Sequence, residues 1–395
     1  MELKQISWPM TISLWIIGHG VIEIPLGKPR KLLSILYVSI LFISHCYVVF
    51  FVMDKTDFLS IVKTNNIGRR IYSLFSHLNI GVVLFIDILS WTRTKDLDVY
   101  FVRMNAVIKV MERLGIKDNH WRHLRFQYIQ YCILCFNILI SSACTVWFMS
   151  GITMTIKLSL SYGYFYPIII IHVSDIYFVI FIRYIGTKFE QLNETLSDRL
   201  KTLSKIDDTE EHIQPEENLC NFIKSIRQIH LELIRLSKYL NKVFDVQLLI
   251  SITISVVFII SWLMNTYNIL IGTTFDSQTY LRTAGLIDIL TFYCFKIFII
   301  GQTCGATSAA AQKTGGIVFK FYNFERSKEI RGEIEKFTMQ LIQNPASFTA
   351  HDFLTLDNAF VFRVAASITT YLIILIQMNN SMFDVGQVNT TIPIQ

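Results

Sequence analysis

Three aspartates, two arginines and a lysine stand inside otherwise apolar runs of this chain: Asp87, Asp175, Asp288, Arg183, Arg363 and Lys296. An ionised side chain at the centre of a spanning helix costs roughly 2.5–3.5 kcal/mol on insertion scales unless it is paired or watered. Such residues therefore serve one of two ends. They pair between helices or reach for the interface, or they line a water-filled pocket. Aromatic and hydrogen-bonding residues gather in the same runs: Tyr72, Phe75, His77 and Asn79, then Tyr166 and His172, then Trp262 and Asn265, then Thr291, Phe292 and Tyr293. Aromatic walls carrying a few polar groups suit a small organic ligand. An interfacial belt of Trp and Tyr accounts for some of them without any ligand; Tyr162, Tyr164 and Tyr267 fit that belt. The candidates for a ligand pocket are His77, Tyr166, His172, Asp175, Trp262, Asp288, Thr291 and Tyr293.

No catalytic signature accompanies them. The sequence holds no H-E-x-x-H, no G-x-S-x-G, no phosphate loop and no dinucleotide fingerprint, so neither an enzyme nor a bound cofactor is expected. Cys132 and Cys135 have the spacing of a metal pair but lie in an apolar helix without a second pair of ligands, and core cysteines are the expectation. Gly301 and Gly305 form a G-x-x-x-G, which favours close helix packing.

The elements that must position these residues are seven apolar stretches, at about 32–53, 71–91, 128–150, 164–185, 244–264, 285–305 and 359–378. Each is close to the roughly 20 residues a helix needs to cross hydrocarbon. Of the lysines and arginines between the stretches, 27 fall in one alternate set of segments, beginning with the amino-terminal one, and 6 in the other. Basic residues stay cytoplasmic during insertion, so the expectation is an all-α membrane protein with a cytoplasmic N-terminus and an extracellular C-terminus. That orientation opposes a G-protein-coupled receptor. A secondary transporter would show internal repeats and paired interrupted spans, and none are seen. A content of 52% hydrophobic residues with 17% charged suits a membrane protein, and the net charge of +6 suits contact with anionic lipid rather than nucleic acid.

Residues 1–31 read as a cytoplasmic or interfacial segment, 32–378 as the seven-helix domain and 379–395 as an extracellular tail. The sequons at Asn379 and Asn389 lie in that tail, and the one at Asn193 lies in an inner loop. Apolar residues at Phe222, Ile223, Ile226, Ile229, Leu233, Leu236 and Leu240 recur at helical spacing, predicting an amphipathic helix that runs into the fifth span. Ser204 to Glu217 reads as an acidic insert. A second helix is expected near Ser327 to Gln343 and a short third one from Ala346, carrying Phe348, Phe353 and Leu356. Together, anchor helices at about 186–243 and 306–358 extend from the membrane, and their apolar stripes are expected to be covered by neighbouring subunits.

The seventh span carries the most specific pattern. It ends Thr370-Tyr371-Leu372-Ile373-Ile374-Leu375-Ile376-Gln377, which resembles the T-Y-five-hydrophobics-Q motif of insect gustatory receptors. Phe353 to Asp357, Ser367 to Thr369, His230-x-x-Leu233, Leu240-Asn241, Phe244 and Gln247-Leu248 are similar to that family's surrounding sequence. The resemblance implies a homotetrameric ligand-gated cation channel of the plasma membrane, opened by a small tastant, with the seventh helix lining the pore. Co-assembly with other members of the family is compatible with it. An insect olfactory receptor shares the plan but usually differs in the seventh-helix ending. Ala366, Thr370, Ile373 and Gln377 share one helix face and are the expected pore residues. Many sugar-sensing relatives carry Glu where this chain has Leu372; the resemblance is compatible with receptors for a monosaccharide such as fructose, for a bitter compound, and of the broadly expressed internal-sensing types.

Overall fold

The computed structural model describes residues 3–23, 28–53, 66–118, 120–148, 153–207, 216–272, 277–321 and 328–390. Side chains are excepted at 53–76, 203–217, 272–282 and 379–390 and at a few single positions. The expectations on Tyr72 and Phe75, on most of the acidic insert and on the side chains of Asn379 and Asn389 thus lie outside the described residues.

The described chain is almost wholly helical. Two short helices, α1 (Leu3–Ile6) and α2 (Trp8–Ile16), precede α3 (Lys31–Tyr47), which runs on through a π-helical turn at Val48–Met53. Then come α4 (Asn66–Arg113), α5 (His120–Phe148), α6 (Met154–Asp207), α7 (Glu216–Gly272), α8 (Ser277–Phe321), α9 (Lys328–Gln343), a two-stranded hairpin β1 (Thr349–Ala350) and β2 (Leu354–Thr355), and α10 (Phe360–Thr390). Among the described residues six helices are long and apolar enough to cross a membrane: α3, α5, α6, α7, α8 and α10. The 48-residue α4 supplies a seventh crossing. Helices α6 and α7, of 54 and 57 residues, are each about 80 Å long at 1.5 Å per residue, far more than a bilayer requires. The excess projects on one side as a helical extension.

The most apolar window of α6 is 94% buried, while those of α3 and α10 are 17% and 11% buried. Helix α6 is therefore the central post, and α3 and α10 are peripheral. The amphipathic stripe on α7 forms as expected: Ile226, Leu233, Leu236 and Leu240 are fully buried. Its cover differs from the expectation. Phe189, Leu192 and Leu196 of α6 and Ile334 and Phe337 of α9 belong to the same continuous core, so the stripe is satisfied within one chain rather than by a neighbour. His230 lies in this core between the rings of Phe189 and Phe337. Asn193 is buried there too. It donates to the Ala310 carbonyl at 2.7 Å and accepts from Thr314 at 2.7 Å, so its sequon is a packing element.

The short helix expected from Ala346 is instead the β-hairpin. Pro345 keeps the preceding residue out of the helical region and α9 stops at Gln343. Beyond it, Ala346, Phe348 and Ala350 are buried while their neighbours are not, a period of two that marks extended chain. His351 and Asp352 take the left-handed conformation at the tip, and Phe353 N–H closes the turn on the Ala350 carbonyl at 3.1 Å. Asn241 of α7 holds the hairpin by accepting from Thr349 N–H at 3.1 Å. Arg363 then ties the start of α10 to it, with bonds to the Thr355 carbonyl at 2.7 Å and to Asp357 at 2.8 Å.

The G-x-x-x-G seats that same junction. A Cβ added to Gly301 would meet Phe360 at 3.1 Å and the Asp357 carbonyl at 3.3 Å, and one added to Gly305 would meet the backbone N of Asn358 at 2.9 Å. A Cβ at Gly316 on the same helix meets nothing within 4 Å. Gly305→Ala should therefore lower the thermal midpoint of the detergent-solubilised protein, at a cost of about 1–3 kcal/mol. Gly316→Ala should leave it equal or raise it, by up to about 1 kcal/mol from helix propensity.

Asp118, between α4 and α5, sits under Lys188 Nζ at 2.5 Å, the Tyr184 hydroxyl at 2.6 Å and His120 at 3.0 Å. Burial raises its pKa, but these partners outweigh burial and hold it below the ordinary carboxylate value. A lowered folded pKa stabilises above the unfolded value and loses that effect as pH falls through the folded one. The midpoint should drop as pH falls below about 4, with a shallower drop in Asp118→Asn.

Candidate functional site

A polar network crosses the bundle beside the central post. Asp175 of α6 is 2% exposed and meets Lys296 of α8, equally buried, at 2.8 Å. The carboxylate also accepts from Ser251 at 2.5 Å and from Gln247 Nε2 at 3.3 Å, both on α7. Gln247 passes the network on, since its Oε1 accepts from Arg93 of α4. Arg93 also reaches Ser174 Oγ at 3.5 Å and lies over the Phe244 ring at 4.6 Å. Four helices are thus tied by one charged chain. A buried pair of this kind is costly to desolvate and is tolerated because the remaining lone pairs are bonded.

The other pocket candidates fall into separate places. His172 lies one turn from Asp175 on α6, with its ring 4.1 Å from that of Phe292. Tyr293 stacks on Phe258 of α7 at 5.5 Å, and Trp262 stands one turn beyond Phe258, half-buried. His172 Nδ1 and Trp262 Nε1 are buried without a hydrogen-bond partner among the described residues. Asp288 of α8 joins Asn137 Nδ2 at 3.3 Å and Ser141 Oγ, both on α5, in a half-buried cluster. These residues lie on α5 to α8 and could form one wall. Tyr166 faces elsewhere. It packs against His45 and Tyr162 with centroids 5.4 and 5.2 Å away, on the side of α6 toward α3. His77 is exposed with its ring against Phe50, and Thr291 is exposed with its hydroxyl on the Ile287 carbonyl at 2.8 Å.

A cavity of about 70 Å³ opens where sequence reading placed none, between the amino-terminal segment and α4, α6 and α7. Leu3, Ile6, Met10 and Leu14 are buried against the bundle, and His19 pairs with Asp87 at 3.2 Å. Arg93 lies two residues beyond the second apolar stretch, so its charge read as an inner-loop cation. Only the packing shows that it points into the protein.

The seventh spanning helix, α10, rests on its own chain through one stripe. Phe360 and Val364 are buried and Ile368, Leu372 and Ile376 are half-buried, at steps of four. At 100° per residue, Ala366 and Thr370 lie opposite this stripe and Ile373 and Gln377 lie to one side of its outer part, and all four are exposed. Tyr371 flanks the packed stripe at 58% exposure.

With that arrangement in view, the comparisons with known proteins are consistent among themselves. The family model described as 7tm chemosensory receptor matches residues 13–379. The chain belongs to the 7tm chemosensory receptor family. Among its relatives in Drosophila melanogaster, a protein assigned as gustatory receptor 28b is 23% identical over 295 residues, covering 69% of this chain and 62% of that one. The match therefore spans about three-fifths of that relative's length. Gustatory and pheromone receptor 32a from the same species is 34% identical over 88 residues, 22% of this chain and 19% of the relative. The insect olfactory receptor OR5 from Machilis hrabei, solved in complex with eugenol, shares the fold with a TM-score of 0.68 at 15% identity, over 95% of this chain and 98% of that one. The same receptor solved without the ligand gives 0.65. This chain is thus a multi-pass membrane protein of the chemosensory receptor family, and the relatives named above are chemoreceptors rather than enzymes.

Removing Lys296 strands a buried carboxylate. Lys296→Met should cost about 3–5 kcal/mol and most of the folded yield, whereas Lys296→Met combined with Asp175→Asn should recover a large part of it. Size-exclusion yield and thermal midpoint of the solubilised variants measure both.

Proposed function

We propose that this chain is a gustatory receptor acting as a ligand-gated, non-selective cation channel, with a pore built from α10 of four identical subunits. One observation carries the reading. The face of α10 bearing Ala366, Thr370, Ile373 and Gln377 is turned away from its own chain. An apolar helix face interrupted by Thr and Gln is poorly suited to lipid and well suited to a shared aqueous axis. A ring of Ile373 closes such an axis by dewetting, and a ring of Gln377 amides meets the ion near its mouth.

The orientation proposed is that of the charge asymmetry, with the N-terminus and the helical extension cytoplasmic and the α10 end extracellular. The tastant then enters from outside, among α5 to α8. There Trp262, Tyr293, Phe292 and His172 offer aromatic surface, and Asp288 with Asn137 and Ser141 offers a polar end. The unbonded His172 Nδ1 and Trp262 Nε1 are groups a ligand can satisfy. A bitter compound or a monosaccharide such as fructose fits this mixture, and the eugenol bound by the Machilis receptor is a small phenol. Coupling from pocket to pore runs through Asp175, Lys296 and the α8 glycines that seat α10. Surrounding lipid and, in some cells, other family members complete the assembly.

Cells expressing this chain alone should give tastant-evoked cation current that persists when G-protein signalling is blocked. A response abolished by the block assigns the chain to coupled signalling instead. Gln377→Ala should change unitary conductance or ion selectivity while leaving the tastant concentration for half-activation within a factor of two. Asp288→Asn should do the reverse, raising that concentration roughly tenfold through loss of a charge-assisted bond. Unaltered permeation in Gln377→Ala removes this residue from the conduction path.

A further inference from the structure

The cavity beneath the amino-terminal segment has a use that the tastant pocket does not cover. Its aromatic lining is Trp15, Phe101, Tyr177 and Phe244, the last under the Arg93 guanidinium at 4.6 Å. Its polar lining includes Arg93, only 5% exposed, together with Ser90, Thr94 and Ser174. Asp98, half-exposed, marks the open end, where Lys4 meets it at 2.9 Å and Glu23 at 3.0 Å.

Contact, not the number of charges, singles out Arg93. Asp175 is held by Lys296, Asp87 by His19, and both Glu23 and Asp98 by Lys4. Asp175 and Asp245 act on Arg93 only through space. Its contacts are the neutral Gln247 and Ser174 and the face of Phe244, and its Nε has no hydrogen-bond partner among the described residues. A guanidinium so deeply buried without a carboxylate in contact is the unfavourable half of an ion pair. Its planar donors match a carboxylate in bidentate geometry, and the small cavity with its apolar walls suits a monoanionic carboxylate.

We propose that this cavity is a second binding site, taking a small organic carboxylate whose head lies on Arg93 and whose short apolar body lies against Trp15, Phe101, Tyr177 and Phe244. The cavity's 70 Å³ compares with about 10–15 Å³ on the same measure for one water, so it has room for about five to seven water-sized groups, the size of a short-chain acid. The ligand bridges the amino-terminal segment to α4, α6 and α7 and so stabilises that docking. The same head group could come from a free short acid or from a fatty acid entering by the open end.

The test is equilibrium binding of radiolabelled butyrate to the full chain in nanodiscs. Saturable binding is expected, displaced by unlabelled butyrate and unaffected by the same concentration of n-butylamine. Stronger displacement by butyrate than by decanoate assigns the free acid, and the opposite order assigns the fatty acid. Arg93→Gln should weaken binding at least tenfold, while Arg363→Gln, remote from the cavity, should not change it. Should Arg93→Gln fail to fold, a diazirine analogue of butyrate applied to the wild-type chain gives the answer. Labelling of the peptides holding Trp15 or Phe101 supports the site. Absence of saturable binding, equal displacement by n-butylamine, unchanged affinity in folded Arg93→Gln, or labelling confined to other peptides overturns it.

Discussion

The ion pair of Lys296 on Asp175 is the constraint around which this bundle is arranged. Both partners are cut off from solvent, so neither tolerates the loss of the other. Because Asp175 stands on the most deeply buried helix, the pair fixes the rotation of α6 relative to α8. Ser251 and Gln247 fix α7 to the same carboxylate, and Arg93 brings in α4. Apolar packing alone leaves helices in hydrocarbon free to slide and turn, since lipid competes equally for their surfaces. The charged chain removes that freedom for four of the seven crossings.

The peripheral helices follow from this centre. The G-x-x-x-G on α8 lies about one and a half to two and a half turns beyond Lys296, so the helix that carries the charge also carries the seat of α10. The hairpin, braced by Asn241 and Arg363, sets the height at which α10 begins. Up to Met378, the rest of α10 is exposed. A helix held at its base and along one stripe can change its tilt with little disturbance of the core, as the proposed pore role requires.

Much of this architecture was legible in the residues. Apolar length marked the crossings, the three-and-four spacing from Phe222 to Leu240 marked the buried stripe of α7, and Gly301 with Gly305 marked a packing seam. Other features depended on long-range packing. Nothing local told whether the α7 stripe was covered by its own chain or by another. The hairpin was hidden because Phe348, Phe353 and Leu356 also fit a loose helical spacing, although Ala346, Phe348 and Ala350 alternate. Asp175 appeared as a pocket group because charge in hydrocarbon has two uses, and only its partner distinguishes them. Tyr166, His77 and Thr291 shared a depth with the other candidates but not a direction, and depth was all that topology supplied.

The amino-terminal segment makes its contacts with residues that leave the ribosome much later. Leu3 N–H bonds Asn105, and the Ile17 carbonyl accepts from Tyr166. Residues 3–17 must therefore wait, undocked, until the fourth crossing, α6, has been threaded into the bilayer. A bulky reporter fused ahead of α1 would obstruct that late step.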